Sequence, residues 1–296
     1  MRLYREQEHN RRIAGKAEIV WGESTLAGRQ RVERRSGLLI EKCCISPKMR
    51  VLEIGCGTGE YTLRLVQTGA MIFATDISEE LLALAQNKGT EEKREKAEDR
   101  RQKDAEKERE GKISVSPCLC GRKGLNASFA LCQAEYLPFK DNSFDAVVGN
   151  AVLHHLELPT ALEEIKRVLK VGGRFAFTEP NMLNPQNMLI KNVKFLGRLL
   201  GESPDETAFF SWKILKQLKK AGFCEPMAQP FDFLHPIVPD SMVGIVSLLG
   251  KLMEKVYGMR NMAGSLIISG GKDAGSKFKE QKCEYRNHNR NYCGKG

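Results

Sequence analysis

Residues 51–60 read Val-Leu-Glu-Ile-Gly-Cys-Gly-Thr-Gly-Glu, and an acid, Asp76, follows 17 residues after Gly59. No other stretch constrains the fold as tightly. Val51 to Ile54 is a short apolar strand, and Gly55, Gly57 and Gly59 permit a tight turn and close approach of backbone to a ligand. Tyr61, Leu63, Leu65 and Val66 predict a helix opening directly after the turn. Met71 to Thr75 is a second strand, ending at Asp76. Strand, glycine turn, helix, strand and acid in this order is how an open α/β sheet builds an adenosine site.

The turn also discriminates among ligands. The dinucleotide fingerprint G-x-G-x-x-G is met at Gly55 and Gly57, but its third position is Glu60. A carboxylate there suits a helix N-terminus and competes with a pyrophosphate for the same positive end. A P-loop fails because no Gly-Lys-Ser/Thr follows. S-adenosylmethionine, which has no pyrophosphate, fits better. Glu53 stands where an apolar side chain is the default, so it needs a partner, and the ligand's ammonium is one. Asp76 offers two acceptor oxygens to the two ribose hydroxyls.

Downstream, the pattern alternates. Ser78 caps a helix carrying Leu81, Leu82, Leu84 and Ala85. Ser128 to Cys132 and Phe144 to Gly149 are strands, with Asn150 at the exit of the second. Pro159 to Lys170 is an amphipathic helix stopped by Gly172-Gly173, and Arg174 to Thr178 is a strand closing at Glu179-Pro180. Further helices are expected over Glu206 to Ala221 and Ser241 to Val256, and strands over Met227 to Leu234 and Ser265 to Ser269. Alternating strands and helices predict an α/β fold: a mostly parallel sheet with helices on both faces.

Residues 91–110 are almost all charged and cannot bury a helix face. Residues 88–127 therefore read as a charged surface insertion. Residues 1–35 form a helical, basic cap, 36–272 the main domain, and 273–296 a disordered basic tail. Trp21 and Arg29 to Arg35 are placed to cover the mouth of the site.

The net charge of +10 permits contact with nucleic acid, but much of the excess lies at the two ends, where basic segments are usually solvated arms. Nine cysteines without a regular framework argue against a disulfide scaffold and for reduced thiols. Neither Cys118 with Cys120 nor Cys283, His288 and Cys293 offers a four-ligand zinc pattern, so no metal is expected. No apolar run reaches the ~20 residues of a membrane span, and the polar N-terminus lacks a secretory core. A cytoplasmic protein is expected.

VLEIGCGTG, FATDIS (Phe73–Ser78), AEYLPFKDNSFDAVVGNAVLHHL (Ala134–Leu156) and LKVGGRFAFTEP (Leu169–Pro180) stand in the order of the motifs of class I S-adenosylmethionine-dependent methyltransferases. The chain resembles that family, within its large small-molecule group. The resemblance implies a Rossmann-like fold and a cofactor site made of Glu53, Gly55, Cys56, Gly57, Thr58, Gly59, Asp76, Ile77, Gln133, Ala134, Glu135 and Asn150. Gln133 stands where the family often has Asp; its amide oxygen still accepts from the adenine amino group. Ala134 leaves room for the ring, and Glu135 is either a ligand contact or a solvated loop acid. Asn150 is placed by the methionine part.

The resemblance also puts Leu153-His154-His155-Leu156 beside the transferred methyl. Histidine has the pKa range to remove a proton from a phenol or enol, and His155 is the preferred candidate over His154. From Glu179 onward, EPNMLNPQN and SPDETAFFSWKILKQLKKAGF resemble an uncharacterised bacterial subgroup. Phe209, Phe210 and Trp212 are candidates to line an apolar acceptor pocket. The expected activity is methyl transfer to an O, N or C nucleophile of a small, lipophilic molecule. Its rivals are an RNA or protein methyltransferase using the basic arms and a non-catalytic cofactor-binding module.

Overall fold

The computed structural model describes residues 2–90, 126–192, 208–256 and 258–273. Helices α1 (Arg2–Ile13), α2 (Ala17–Val20) and α3 (Leu26–Cys43) precede strand β1 (Arg50–Ile54). The glycine turn leads into α4 (Glu60–Val66), followed by β2 (Met71–Asp76) and by α5, described over residues 79–90. Then come β3 (Ala127–Leu131), β4 (Phe144–Asn150), α6 (Leu158–Val168), β5 (Leu169–Pro180) and α7 (Pro185–Asn192). The last elements are α8 (Ser211–Lys220), β6 (Cys224–Phe231), α9 (Val243–Met253) and β7 (Ser265–Gly271).

The strands form one sheet in the order β3-β2-β1-β4-β5-β7-β6. β1 to β5 are parallel, and β7 is antiparallel to both β5 and β6. Alternation along the strands divides the core. Leu52, Val147, Phe175, Phe177 and Ile268 face one layer with Ile165 and Leu218 from α6 and α8. Val51, Ala146, Val148, Ala176 and Ile267 face the other, with Leu39 and Leu65 from α3 and α4. This period-2 split follows from side chains alternating across a strand. It leaves a cleft at the carboxyl ends of β1 and β4, where the strand order reverses and such sheets bind ligands.

Two boundaries differ from the sequence expectation. The helix at Pro159 ends at Val168, because Leu169 already pairs with Phe144 and opens β5. Gly172 and Gly173 thus lie inside a bent strand, Gly172 at φ +79°. The strand expected over Met227 to Leu234 runs instead from Cys224 to Phe231. Asp232 ends it by turning to φ +73° and donating its N–H to Glu254.

The division between cap and domain at residue 35 falls inside α3. That helix is continuous because Val32, Ser36, Leu39 and Cys43 form one buried stripe. Of the N-terminal arginines, those of α3 are packed, not solvated: Arg31 and Arg35 pair with Asp232, and Arg34 with Glu254. Arg11 of α1 pairs with Glu80 but stays 68% exposed. Lys88, at the edge of the expected insertion, is held by Glu18 and Glu60. The charged stretch 91–110, Cys118 and Cys120, the Cys283–Cys293 group and the tail from residue 274 lie outside the described residues. Cys43, Cys56, Cys132 and Cys224 are free thiols, whereas Cys44 is disulfide-bonded, a departure from the expected reduced state. Among the described residues no helix is long and apolar enough to cross a membrane.

The junction between α2 and α3 shows how closely the N-terminal helices are fitted. Thr25 caps α3 by accepting from Gly28 N at 3.0 Å, and its hydroxyl donates to Gly22 O at 3.0 Å. A Cβ on Gly28 would lie 1.7 Å from Gly22 O, so backbone would have to move. Gly28→Ala is expected to destabilise the protein by about 1–3 kcal/mol, read as a lower melting temperature. An unchanged melt would show that the cap is not packed this way.

Candidate active site

A cavity of about 730 Å³ opens over the carboxyl ends of β1, β2, β4 and β5. Its floor is the glycine turn. Gly55, Gly57 and Gly59 all take positive φ (+69°, +52° and +85°), which glycine alone adopts without strain. A Cβ on Gly55 would meet Val152 at 2.6 Å, and one on Gly57 would lie 3.1 Å from the Trp21 ring. The turn is thus sandwiched between β4's exit loop and the N-terminal cap. Cys56 N donates to Thr75 O, fastening the turn to β2.

Asp76 ends β2 beneath this turn. Its Oδ2 accepts from Gly57 N at 2.8 Å and its Oδ1 from Ser78 N at 2.9 Å. Burial pushes its carboxyl up, against the pull of these backbone hydrogen bonds. Each oxygen keeps a second lone pair for a ribose hydroxyl. Cys56, Thr58, Ile77, Gln133, Ala134, Glu135 and Asn150 also line the cavity, so the predicted adenosine-binding set converges. Glu135 has a structural partner as well: its Oε1 accepts from Glu157 N at the start of α6. Asn150 Oδ1 accepts from Thr178 Oγ1 and from Arg35 Nη1.

Glu53 departs from the expectation. It does not line the cavity but lies behind the turn, 2% exposed, where its Oε2 accepts from Thr62 Oγ1 at 2.6 Å. Burial pushes its carboxyl up to about 8. Thr62 is the hydrogen-bond partner of its Oε2, and no cavity-lining position brings it directly to a ligand. The aromatic trio departs too. Phe209 packs against the core and pairs its backbone with Pro180 and Met182, while Phe210 stacks on an exposed Trp212. None of the three lines the cavity.

The two histidines occupy a short 3-10 turn, Leu153–His155, and both line the cavity. Glu179, at the end of β5, organises this turn. Its Oε1 accepts from the N–H groups of Val152 and Leu153, and its Oε2 lies 2.6 Å from His154 Nδ1. His155 stacks on His154 with ring centroids 4.1 Å apart, and its Nδ1 is 3.3 Å from Glu6 of α1.

Sequence reading did not single out Glu6, Glu23, Glu179 or Asp232, all of which line the cavity. Glu179 carried a signal, being an acid at a strand exit, as Asp76 is. The others belong to segments whose position relative to the sheet no local pattern states.

The site fits S-adenosylmethionine on two structural grounds. The glycine cradle leaves room that a Cβ would fill, and Asp76 stands at the ribose position of an adenosine site. In addition, the buried side-chain atoms without a hydrogen-bond partner among the described residues are Glu23 Oε2, Arg35 Nε and Thr58 Oγ1. All three residues line this cavity.

Comparison with known proteins agrees. Residues 52–177 match the family described as methyltransferase domain. An uncharacterized methyltransferase of Synechocystis sp. is 29% identical over 199 residues, which cover 64% of this chain and 74% of that protein. The demethylmenaquinone methyltransferase of Lactiplantibacillus plantarum is 28% identical over 211 residues, covering 64% and 76%. Among solved structures, magnesium protoporphyrin IX methyltransferase from Synechocystis PCC 6803 with bound S-adenosylhomocysteine aligns at a TM-score of 0.58 and 16% identity, over 92% of this chain and all of that one. Residues 52–177 thus carry a methyltransferase domain, and the matches support a class I S-adenosylmethionine-dependent methyltransferase. It is an enzyme with S-adenosylmethionine as its methyl donor.

Glu53 gives a pH signature. Its carboxyl titrates near 4.5 when unfolded and near 8 when folded. Between these values the folded state holds the extra proton, so stability falls as pH rises. Glu53→Gln keeps an acceptor for Thr62 and removes the titration. The wild-type melting temperature is expected to drop relative to this variant from about pH 5 to about pH 8. Parallel curves would place the buried proton elsewhere.

Proposed function

We propose that the enzyme methylates an oxygen, nitrogen or carbon nucleophile of a small, lipophilic molecule, with His154 as the base. The observation that carries this reading is the Glu179–His154 dyad at the cavity wall. With Nδ1–H donated to a buried carboxylate, Nε2 holds the lone pair, and the imidazolium formed on proton uptake is stabilised in place. Glu179 is fixed by two backbone N–H groups, so the ring orientation is fixed as well. His155, by contrast, faces Glu6 on the cap, a partner outside the sheet framework.

Bound S-adenosylmethionine supplies a methyl group on a sulfonium sulfur that leaves as a thioether. The chain's own residues hold the acceptor at attack distance, exclude water through α1 and Trp21, and move one proton to His154. The cavity's volume lies in the range of small-molecule sites. Lipophilicity is supported by apolar side chains beside the cavity. Phe233, which lines it, packs on Gly250 of α9. The neighbouring helices expose Met188 and Leu189 on α7, and Ile245, Leu248, Leu249 and Leu252 on α9. A macromolecular acceptor is less well supported, because the N-terminal arginines at positions 11, 31, 34 and 35 are engaged in ion pairs within the fold.

His154→Gln is expected to lower kcat at saturating cofactor by about 10²- to 10⁴-fold, with S-adenosylhomocysteine affinity retained. His155→Gln should cost less. Acceptors are found by incubating labelled cofactor with small-molecule, lipid and RNA extracts; label entering only RNA would refute the small-molecule reading. Equal turnover by wild type and His154→Gln would refute the base.

A further inference from the structure

Glu23 and Arg35 both belong to the N-terminal segment, outside residues 52–177 that match the methyltransferase domain. Each keeps one buried atom without a partner, Oε2 of Glu23 and Nε of Arg35, and both residues line the cavity. A buried donor or acceptor left unpaired costs about 1–3 kcal/mol, and more when charged. Two such atoms of opposite charge in one cavity point to a ligand that presents both a cation and an anion.

The surrounding charges assign each end. Around Arg35 stand Arg31, Asp232 and Tyr61, whose hydroxyl accepts a hydrogen bond from it, with Glu23 acting on it without a hydrogen bond to its Nε; Arg31 Nε lies 3.1 Å and Arg35 Nη2 3.4 Å from the same Asp232 oxygen. Two guanidiniums share one carboxylate, so this end carries an excess positive charge. The other nitrogens of Arg35 are committed, to Asn150 through Nη1 and to Ser265 through Nη2. Around Glu23 stand Glu18, Glu60 and Lys88; Lys88 bridges Glu18 and Glu60, and Arg64 reaches Glu60 at 3.7 Å. Both cations are engaged by those two acids, so Glu23 is the carboxylate left over. Burial, with Glu60 and Glu18 adding to it, pushes Glu23 up to about 7, against the pull of Lys88 and Arg35, neither of which hydrogen-bonds its Oε2; Tyr61 faces it as well. Trp21, two residues before Glu23, lies against Gly57 and brings this end over the glycine turn.

We infer that Glu23 and Arg35 form a clamp for an α-amino acid, Glu23 taking the ammonium and Arg35 the carboxylate of the methionine end of S-adenosylmethionine. The clamp lies on the cavity side of the turn, whereas Glu53 lies behind it with its Oε2 held by Thr62. The cofactor is thus held at its adenosine end by the sheet and at its amino-acid end by the cap. The inference rests on the cofactor and not on the acceptor or the base, and binding without an acceptor tests it separately.

The experiment compares S-adenosylhomocysteine with 5′-methylthioadenosine, which keeps the adenosine and the sulfur but lacks the amino acid. Calorimetry on the full chain should show Glu23→Gln and Arg35→Lys weakening S-adenosylhomocysteine about tenfold to a hundredfold. Glu23→Gln should leave 5′-methylthioadenosine affinity unchanged within about twofold, which also shows that this variant is folded; Arg35→Lys, which also loosens the cap, should weaken S-adenosylhomocysteine at least about tenfold more than 5′-methylthioadenosine. Asp76→Ala should weaken both ligands. Wild-type affinity for S-adenosylhomocysteine should rise with pH around neutrality as Glu23 ionises, and Glu23→Gln should flatten that rise. Unchanged S-adenosylhomocysteine binding in Glu23→Gln, or equal losses for both ligands, would overturn the clamp.

Discussion

Burying a guanidinium is tolerated only where fixed acceptors surround it, and Arg35 meets that condition in a way that organises the whole site. Its N–H groups reach Asn150 at the end of β4, Ser265 at the start of β7 and Asp232 just after β6. One side chain on a cap helix thereby fixes the mouths of three separate strands. The apolar stripe of α3 supplies the adhesion and sets the helix against β5 and α4. Arg35 supplies the register, because only one placement of that helix satisfies those partners. The positions of Trp21 over the glycine turn and of α1 over the histidines follow from it.

The four buried acids around the cavity show how little residue type says without environment. Asp76 accepts from backbone N–H groups and keeps capacity for a ribose. Glu179 also accepts from backbone N–H groups, and gives its remaining oxygen to a histidine. Glu53 has a hydroxyl partner, and burial holds its proton. Glu23 has a buried oxygen with no hydrogen-bond partner among the described residues. One functional group thus stands in four environments: held by backbone N–H groups, paired with an imidazole, bonded to a hydroxyl, and left with an open oxygen.

What was legible in the chain was what is local. The strand, turn, helix and acid from Val51 to Asp76 are encoded in consecutive residues, so both the fold and the adenosine end of the site could be read. The alternation at Phe144 to Gly149 was equally plain. Local pattern misplaced the edge of β5, because Leu169 has a cross-strand partner that outweighs its place at a helix end. It also assigned Glu53 a ligand, because the threonine that satisfies it stands nine residues away on another element. It could not bring Glu23 and Arg35 to one cavity, or Glu6 to His155, since these placements depend on where the cap helices land. The basic N-terminus looked like a solvated arm because its acid partners are distant in the chain.

Those distances have a consequence for how the enzyme comes into being. Arg31 meets Asp232 across 201 residues, and Arg35 meets Ser265 across 230. β7, which carries Ser265, is the last strand made and inserts between two earlier ones, β5 and β6. Contacts of such separation form late in folding, after long loops have closed. The adenosine half of the cleft can be assembled from the first strands alone, whereas the cap is locked only once the final strand is in place. On the clamp inferred above, full grip on the methyl donor waits until β7 has paired with β5 and β6.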